Sequence, residues 1–179
     1  MKFAKFIVLY FLSITSYANQ DLIDKSFEFY NQGKYSKTYE TLLPLADSGN
    51  PRAQYLLGSL YENGKGVLKD MDRAIDLYKK SAASGYSGAQ NSLGVFYEMG
   101  IGVLQDYKES FFWYKKAADQ GHPQAIMNVG FLYLDGLGVN TDKKAAANYL
   151  KRAYEHPELP KTTKKVISDT WSSNELWKY

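Results

Sequence analysis

Cysteine is absent from the 179 residues, histidine occurs twice and proline five times. Without cysteine there is no disulfide framework, no thiolate-bound zinc or iron-sulfur cluster and no cysteine nucleophile. His122 and His156 have no second ligand at metal spacing and give no triad base at a nucleophile elbow, since no Gly-x-Ser-x-Gly segment occurs. The Gly-x-Gly segments lack both a third glycine and a following Gly-Lys-Ser/Thr, which excludes a dinucleotide fingerprint and a phosphate loop. The formal charge of +3 is too small for a nucleic-acid surface. What the chain does have is 45% apolar residues, with 16 Tyr and 9 Phe, enough for a core in one domain or a short repeat array.

Residues 1–18 read as a signal peptide. Lys2 and Lys5 precede an apolar run from Phe6 to Ile14, and Ser16-Tyr17-Ala18 provides a small-x-small cleavage site. The run is about half of what a bilayer-spanning helix needs, which argues against a permanent anchor. With no cysteine behind it, a lipoprotein anchor is excluded. Removal leaves 20 basic and 19 acidic residues over 19–179, so the modest basicity belongs to the leader. The expectation is a periplasmic or secreted chain.

The strongest signal is internal repetition at a period of 36 residues. Ala53, Ala89 and Ala125 correspond, as do Gly58, Gly94 and Gly130, and Tyr61, Tyr97 and Tyr133. The glycine pairs Gly64/Gly66, Gly100/Gly102 and Gly136/Gly138 correspond too, each followed by Val67, Val103 or Val139 and then by Asp70, Asp106 or Asp142. Apolar and small residues recur at helical spacing before and after each glycine pair, so each unit is predicted to be two helices. Glycine would end the first helix through a left-handed turn, and the aspartate would cap the second at about 1 kcal/mol apiece. Gly58, Gly94 and Gly130 fall in mid-helix, where glycine costs up to about 1 kcal/mol relative to alanine. Close packing of the paired helix on that bare backbone would compensate.

The pattern resembles the Sel1-like repeat family of tetratricopeptide-like α-solenoids. The middle unit carries it most fully, in Ala89, Leu93, Gly94, Tyr97, Gly100, Gly102, Val103, Asp106, Trp113, Tyr114, Ala117, Ala118 and Gly121. The resemblance implies an all-α, right-handed superhelix with three repeats at 51–86, 87–122 and 123–157. Residues 19–50 form a degenerate first hairpin lacking the glycine loop, and 158–179, beginning after the break at Pro157 and Pro160, form a capping helix and tail. End caps are what a stack of repeats requires, because its terminal cores are otherwise uncovered.

In such an array the first helix of each unit lines the inner wall, and positions there that packing does not fix are free to meet a partner. Those positions are Tyr55, Ser59, Glu62 and Asn63 in the first unit, Asn91, Val95, Glu98 and Met99 in the second, and Met127, Phe131, Leu134 and Asp135 in the third. They run from polar to apolar. Val95, Met99, Met127, Phe131 and Leu134 would form an exposed patch rimmed by Glu62, Glu98 and Asp135, unless the helix after Pro160 covers Phe131 and Leu134. Phe112, matched by Asp76 and Asn148, is either exposed on the outer face or packed on a neighbouring aromatic. Glu62 and Glu98 occupy equivalent places and could stand at the separation of an inverting glycosidase pair; a solvated rim is the simpler account.

The resemblance implies a non-catalytic, monomeric protein-binding scaffold without cofactor or metal, acting as an immunity protein against a periplasmic toxin or as an envelope adaptor. The alternative is a cell-wall enzyme or glycan binder using Glu62 and Glu98.

Overall fold

The computed structural model describes residues 19–179; the leader inferred for 1–18 lies outside the described residues. Among the described residues there are nine α-helices, a short 3₁₀ turn and no strand. The helices are α1 (19–31), α2 (Tyr35–Asp47), α3 (Pro51–Asn63), α4 (Met71–Ala83), α5 (Ser87–Met99), α6 (Tyr107–Asp119), α7 (Pro123–Asp135), α8 (Lys143–Glu155) and α9 (Lys161–Ser173), followed by the 3₁₀ turn Leu176–Lys178. The chain divides into two compact units, 19–81 and 82–179.

In the first unit α1 and α2 make the short N-terminal hairpin, joined through Gly33 at φ +72° in place of a glycine-pair loop. Its core takes Ile23 from α1, Leu42, Leu45 and Ala46 from α2, Ala53, Leu57 and Leu60 from α3, and Ala74, Ile75 and Tyr78 from α4. In the second unit one core joins Tyr114, Ala117 and Ala118 of α6, Ala125, Ile126, Val129 and Leu132 of α7, and Ala147, Leu150 and Ala153 of α8 to Leu159, Ile167 and Leu176. The segment after Pro160 is therefore helical and contributes to the core.

The turn inside each hairpin is built the same way three times. Gly64, Gly100 and Gly136 cap α3, α5 and α7 in the left-handed region at φ +65°, +67° and +71°. The next amide in each case reaches five residues back, as in Ile101 N–H to the Phe96 carbonyl at 3.0 Å. The chain then folds against the helix it has left: the amides of Asp70, Asp106 and Asp142 donate to the carbonyls of Tyr61, Tyr97 and Tyr133 at 3.0, 2.9 and 2.9 Å. Each aspartate in turn accepts from the opening amides of the following helix, Asp70 from Arg73 at 3.0 Å, Asp106 from Lys108 and Glu109 at 2.8 and 3.1 Å, and Asp142 from Ala145 at 2.9 Å. Turn and cap are thus one device, and the sequence signature is its footprint.

The mid-helix glycines take the packing expected of them. A methyl group on Gly94 would stand 2.3 Å from Tyr114 Cδ1, one on Gly130 2.8 Å from Leu150 Cγ, and one on Gly58 3.2 Å from Tyr78 Cε1. Gly58, Gly94 and Gly130 are each the eighth residue of their helix, and Tyr78, Tyr114 and Leu150 are each the eighth of the helix that follows. The paired helices cross at their midpoints, so closely that a Cβ at 94 or 130 would overlap the facing side chain, while at 58 it would press on Tyr78.

Candidate functional site

The first helix of each repeat carries the candidate positions, and their surroundings differ from unit to unit. On α3, Tyr55 packs against Tyr78 at 5.4 Å between ring centres. Tyr78 donates its hydroxyl to Oε2 of Glu62 at 2.6 Å, and Asn63 is exposed, its amide donating to the Ser59 carbonyl at 2.9 Å. Ser59 also borders an apolar recess of about 210 Å³ that Phe27, Tyr30, Leu42, Leu56 and Leu60 help to line.

On α5, Tyr114 donates to Oε2 of Glu98 at 2.6 Å, repeating the Tyr78–Glu62 pair. Burial, and then the negative carboxylate, push both phenols above their ordinary range. The amide oxygen of Asn91 is shielded from solvent and has no hydrogen-bond partner among the described residues. Met99 is 66% exposed.

On α7, the apolar patch read from the sequence needs correction. Val95, Met127, Phe131 and Leu134 are partly buried and pack against the core of the second unit, so of the five apolar residues proposed Met99 alone is exposed. The reason is register: Met127, Phe131 and Leu134 adjoin the buried positions Ile126, Gly130 and Leu132 and share their boundary with the core. Trp171 of α9 packs against that same core. Asp135 is exposed at the end of the helix.

Glu62 and Glu98 each hold a buried tyrosine hydroxyl, which is a packing role. The third repeat has Leu134 and Leu150 where the others have glutamate and tyrosine, so the polar pair is exchanged as a pair. His122 sits at the N-terminus of α7, where Nδ1 accepts from the Ala125 amide at 3.4 Å, and burial lowers its pKa. His156 accepts from the Glu158 amide at 3.3 Å in the turn before α9. Phe112 satisfies both sequence readings: it is 46% exposed, packs edge-on to Trp113 at 5.0 Å, and carries Lys116 over its ring at 4.8 Å.

Sequence reasoning passed over Leu68 and Leu104, each 90% exposed at equivalent places in the hairpin turn. The signal was present: an apolar residue after the signature valine, where the third repeat has Asn140. Among the described residues no helix is long and apolar enough to cross a membrane.

Hairpins of two thirteen-residue helices, closed by a left-handed glycine and an aspartate cap and recurring every 36 residues, define an α-solenoid of the tetratricopeptide-like class. The sequence pattern of the Sel1 repeat matches residues 51–86, 87–122 and 123–157. The chain belongs to the Sel1 repeat family. Among solved structures it is similar to a Sel1 repeat protein from Oxalobacter formigenes, at 37% identity and a TM-score of 0.72, covering 76% of this chain and 56% of that one. It is also similar to a protective antigen present in uropathogenic Escherichia coli strains that displays an SLR fold, at 41% identity and a TM-score of 0.63, covering 65% of this chain and 25% of that one. The chain thus spans little more than half of the first relative and a quarter of the second. No curated protein matches it. As a class, proteins of this family are scaffolds for protein–protein interaction.

Proposed function

We propose that this protein is an exported, non-catalytic scaffold that holds a protein or peptide partner along the inner wall formed by the first helices of its repeats. The leader at 1–18 takes it out of the cytoplasm, and the more specific role is that of an immunity protein against a periplasmic toxin, with an envelope adaptor as the broader form. The contacting residues are Tyr55, Ser59, Glu62, Asn63, Asn91, Val95, Glu98, Met99, Met127, Phe131, Leu134 and Asp135.

One observation carries the reading. The Ala53, Gly58 and Tyr61 positions are the same in every repeat, whereas three of the four candidate positions change chemistry at each repeat, from Tyr55 through Asn91 to Met127, from Ser59 through Val95 to Phe131 and from Asn63 through Met99 to Asp135, and the fourth changes from Glu62 and Glu98 to Leu134. A face that only had to stack would repeat its residues. The exposed Met99 supports the same reading.

The test is capture from an envelope extract with wild type and with Met99→Asp, Met127→Asp and Phe131→Asp, each checked for folding by circular dichroism. Met99→Asp is the cleanest probe, because its side chain is the most exposed of the three. A captured hydrolytic toxin, inhibited on binding and lost with Met99→Asp, is the expected result. Undiminished capture by all three folded variants refutes the inner-wall site.

A further inference from the structure

The recess beside Ser59 lies where the second unit seats two rings. Two 36-residue periods along the sequence, Thr38 and Leu42 of α2 correspond to Ser110 and Tyr114 of α6, and Leu56, Ser59 and Leu60 of α3 to Asn128, Phe131 and Leu132 of α7. In the second unit Tyr114 is fully buried with its hydroxyl on Glu98, and Phe131 packs against the core. The first unit has Leu42 and Ser59 in the places of these rings, and the aromatic bulk is not replaced. What remains is the recess of about 210 Å³.

Its floor includes Thr38, Leu42 and Leu60, all buried, and its mouth is Phe27 and Tyr30 of α1 with Leu56 and Ser59 of α3, all partly exposed. The mouth is held in place. Arg52 stands over the Phe27 ring at 5.2 Å, and Lys65 stands over the Tyr30 ring at 4.6 Å while donating to its hydroxyl. The hydroxyls of the lining are engaged within the chain: Ser26 donates to the Ile23 carbonyl at 2.6 Å, Thr38 donates to the Lys34 carbonyl at 3.2 Å, and Ser59 Oγ accepts from the Asn63 amide at 3.4 Å. A cavity of about 150 Å³ with apolar walls is enough for benzene. The recess therefore has room for one benzyl group, whereas a phenol there would compete for hydroxyls already engaged. Ser59 is also one of the inner-wall positions, so the recess is continuous with the proposed wall.

We infer that this recess is the anchor pocket of the inner wall and takes a phenylalanine side chain from a protein or peptide partner. The partner supplies to the first repeat the ring that Phe131 supplies within the third. A single aromatic residue, desolvated in a preformed pocket, can carry much of an interface's binding energy, and a mouth already held by Arg52 and Lys65 needs little reordering to receive it. Tyrosine is disfavoured, because its hydroxyl would be buried without a free partner. The inference rests on the inner-wall reading and adds to it the residue type by which the partner is held.

The probe is N-acetyl-phenylalaninamide, titrated into the full chain and followed by the methyl NMR signals of Leu42, Leu56 and Leu60. Saturable shifts at these methyls are expected, with N-acetyl-tyrosinamide and N-acetyl-alaninamide binding at least fivefold more weakly. Ser59→Phe, which writes the ring of the third repeat into the first, should weaken binding at least tenfold. Leu56→Asn, which writes in Asn128, should weaken it at least fivefold. Both positions are partly exposed, and circular dichroism checks that each variant folds. Absence of shifts at the three methyls, equal binding of the alanine or tyrosine amide, or binding unchanged in both folded variants would overturn the inference. So would tighter binding of octyl glucoside, which gives the recess to an alkyl chain, or a dimer in sedimentation that Ser59→Phe dissociates, which gives it to a second copy. The two readings fail on different measurements. Loss of partner capture by Met99→Asp without phenylalaninamide binding removes the anchor and leaves the inner wall, whereas phenylalaninamide binding with capture undiminished in all three inner-wall variants removes the wall.

Discussion

The hydroxyl of Tyr114 donates to Oε2 of Glu98 at 2.6 Å, across the point where α5 and α6 meet at Gly94. The same three residues recur one repeat earlier as Tyr78, Glu62 and Gly58. In the third repeat the glycine stays while the other two become Leu150 and Leu134. The bare backbone is the requirement of the crossing. What rests on it can be a phenol if a carboxylate receives the hydroxyl, or a leucine if none is present, because a buried hydroxyl without an acceptor costs more than an apolar pair.

Removing half of the pair should therefore cost more than exchanging the whole. Tyr114→Phe is expected to lower stability by about 1–2 kcal/mol, through loss of a hydrogen bond to a charged acceptor. Tyr114→Leu with Glu98→Leu, which writes the third repeat into the second, should cost less than the sum of the two single changes. Urea unfolding of the four proteins closes the cycle, and strict additivity would show that the pair is not coupled.

The buried phenols predict an alkaline limit. Tyr78 and Tyr114 have folded-state pKa values above the ordinary 10, so above about pH 10 the unfolded chain releases protons that the folded chain retains. The contribution of these two groups should be level below pH 10 and fall as pH rises past it. The slope measured by urea unfolding between pH 9 and 11 should be shallower in Tyr114→Phe.

The glycines at the crossings are not equivalent in the room they leave. Gly94→Ala puts a methyl group 2.3 Å from Tyr114 Cδ1, whereas Gly58→Ala finds its nearest neighbour at 3.2 Å. Overpacking of about 1–3 kcal/mol should exceed the gain of about 1 kcal/mol in helix propensity at position 94. At position 58 the two terms should nearly cancel. Thermal melts of the two variants, expected to differ by several degrees, test the difference.

His122 predicts an acid limit. Its Nδ1 caps α7 only while unprotonated, and burial holds its pKa below the ordinary 6.5, with Glu158 opposing and His156 reinforcing that shift. The folded chain resists protonation that the unfolded chain accepts, so this contribution is complete above pH 6.5 and is lost as pH falls through the folded-state value. Asn50 performs the equivalent capping on α3 without a titratable group. His122→Asn should keep the cap and flatten the part of the stability profile between pH 7 and 5 that this histidine supplies. An unchanged profile would assign the acid sensitivity elsewhere.

Much of this was legible in the residues alone. The 36-residue period determined the hairpins, the glycine turns and the aspartate caps, because each rests on a local backbone need that few residue types meet: positive φ at Gly64, Gly100 and Gly136, and an acceptor at the helix start in Asp70, Asp106 and Asp142. The packing role of Gly94 was also legible, since a mid-helix glycine is costly unless another helix lies on it. Tertiary structure decided the rest. Glu62 and Glu98 could pass for a catalytic pair in one dimension and are hydrogen-bond acceptors for Tyr78 and Tyr114 in three. Met127, Phe131 and Leu134 looked like an exposed patch and are half core, because exposure depends on what a neighbouring helix covers.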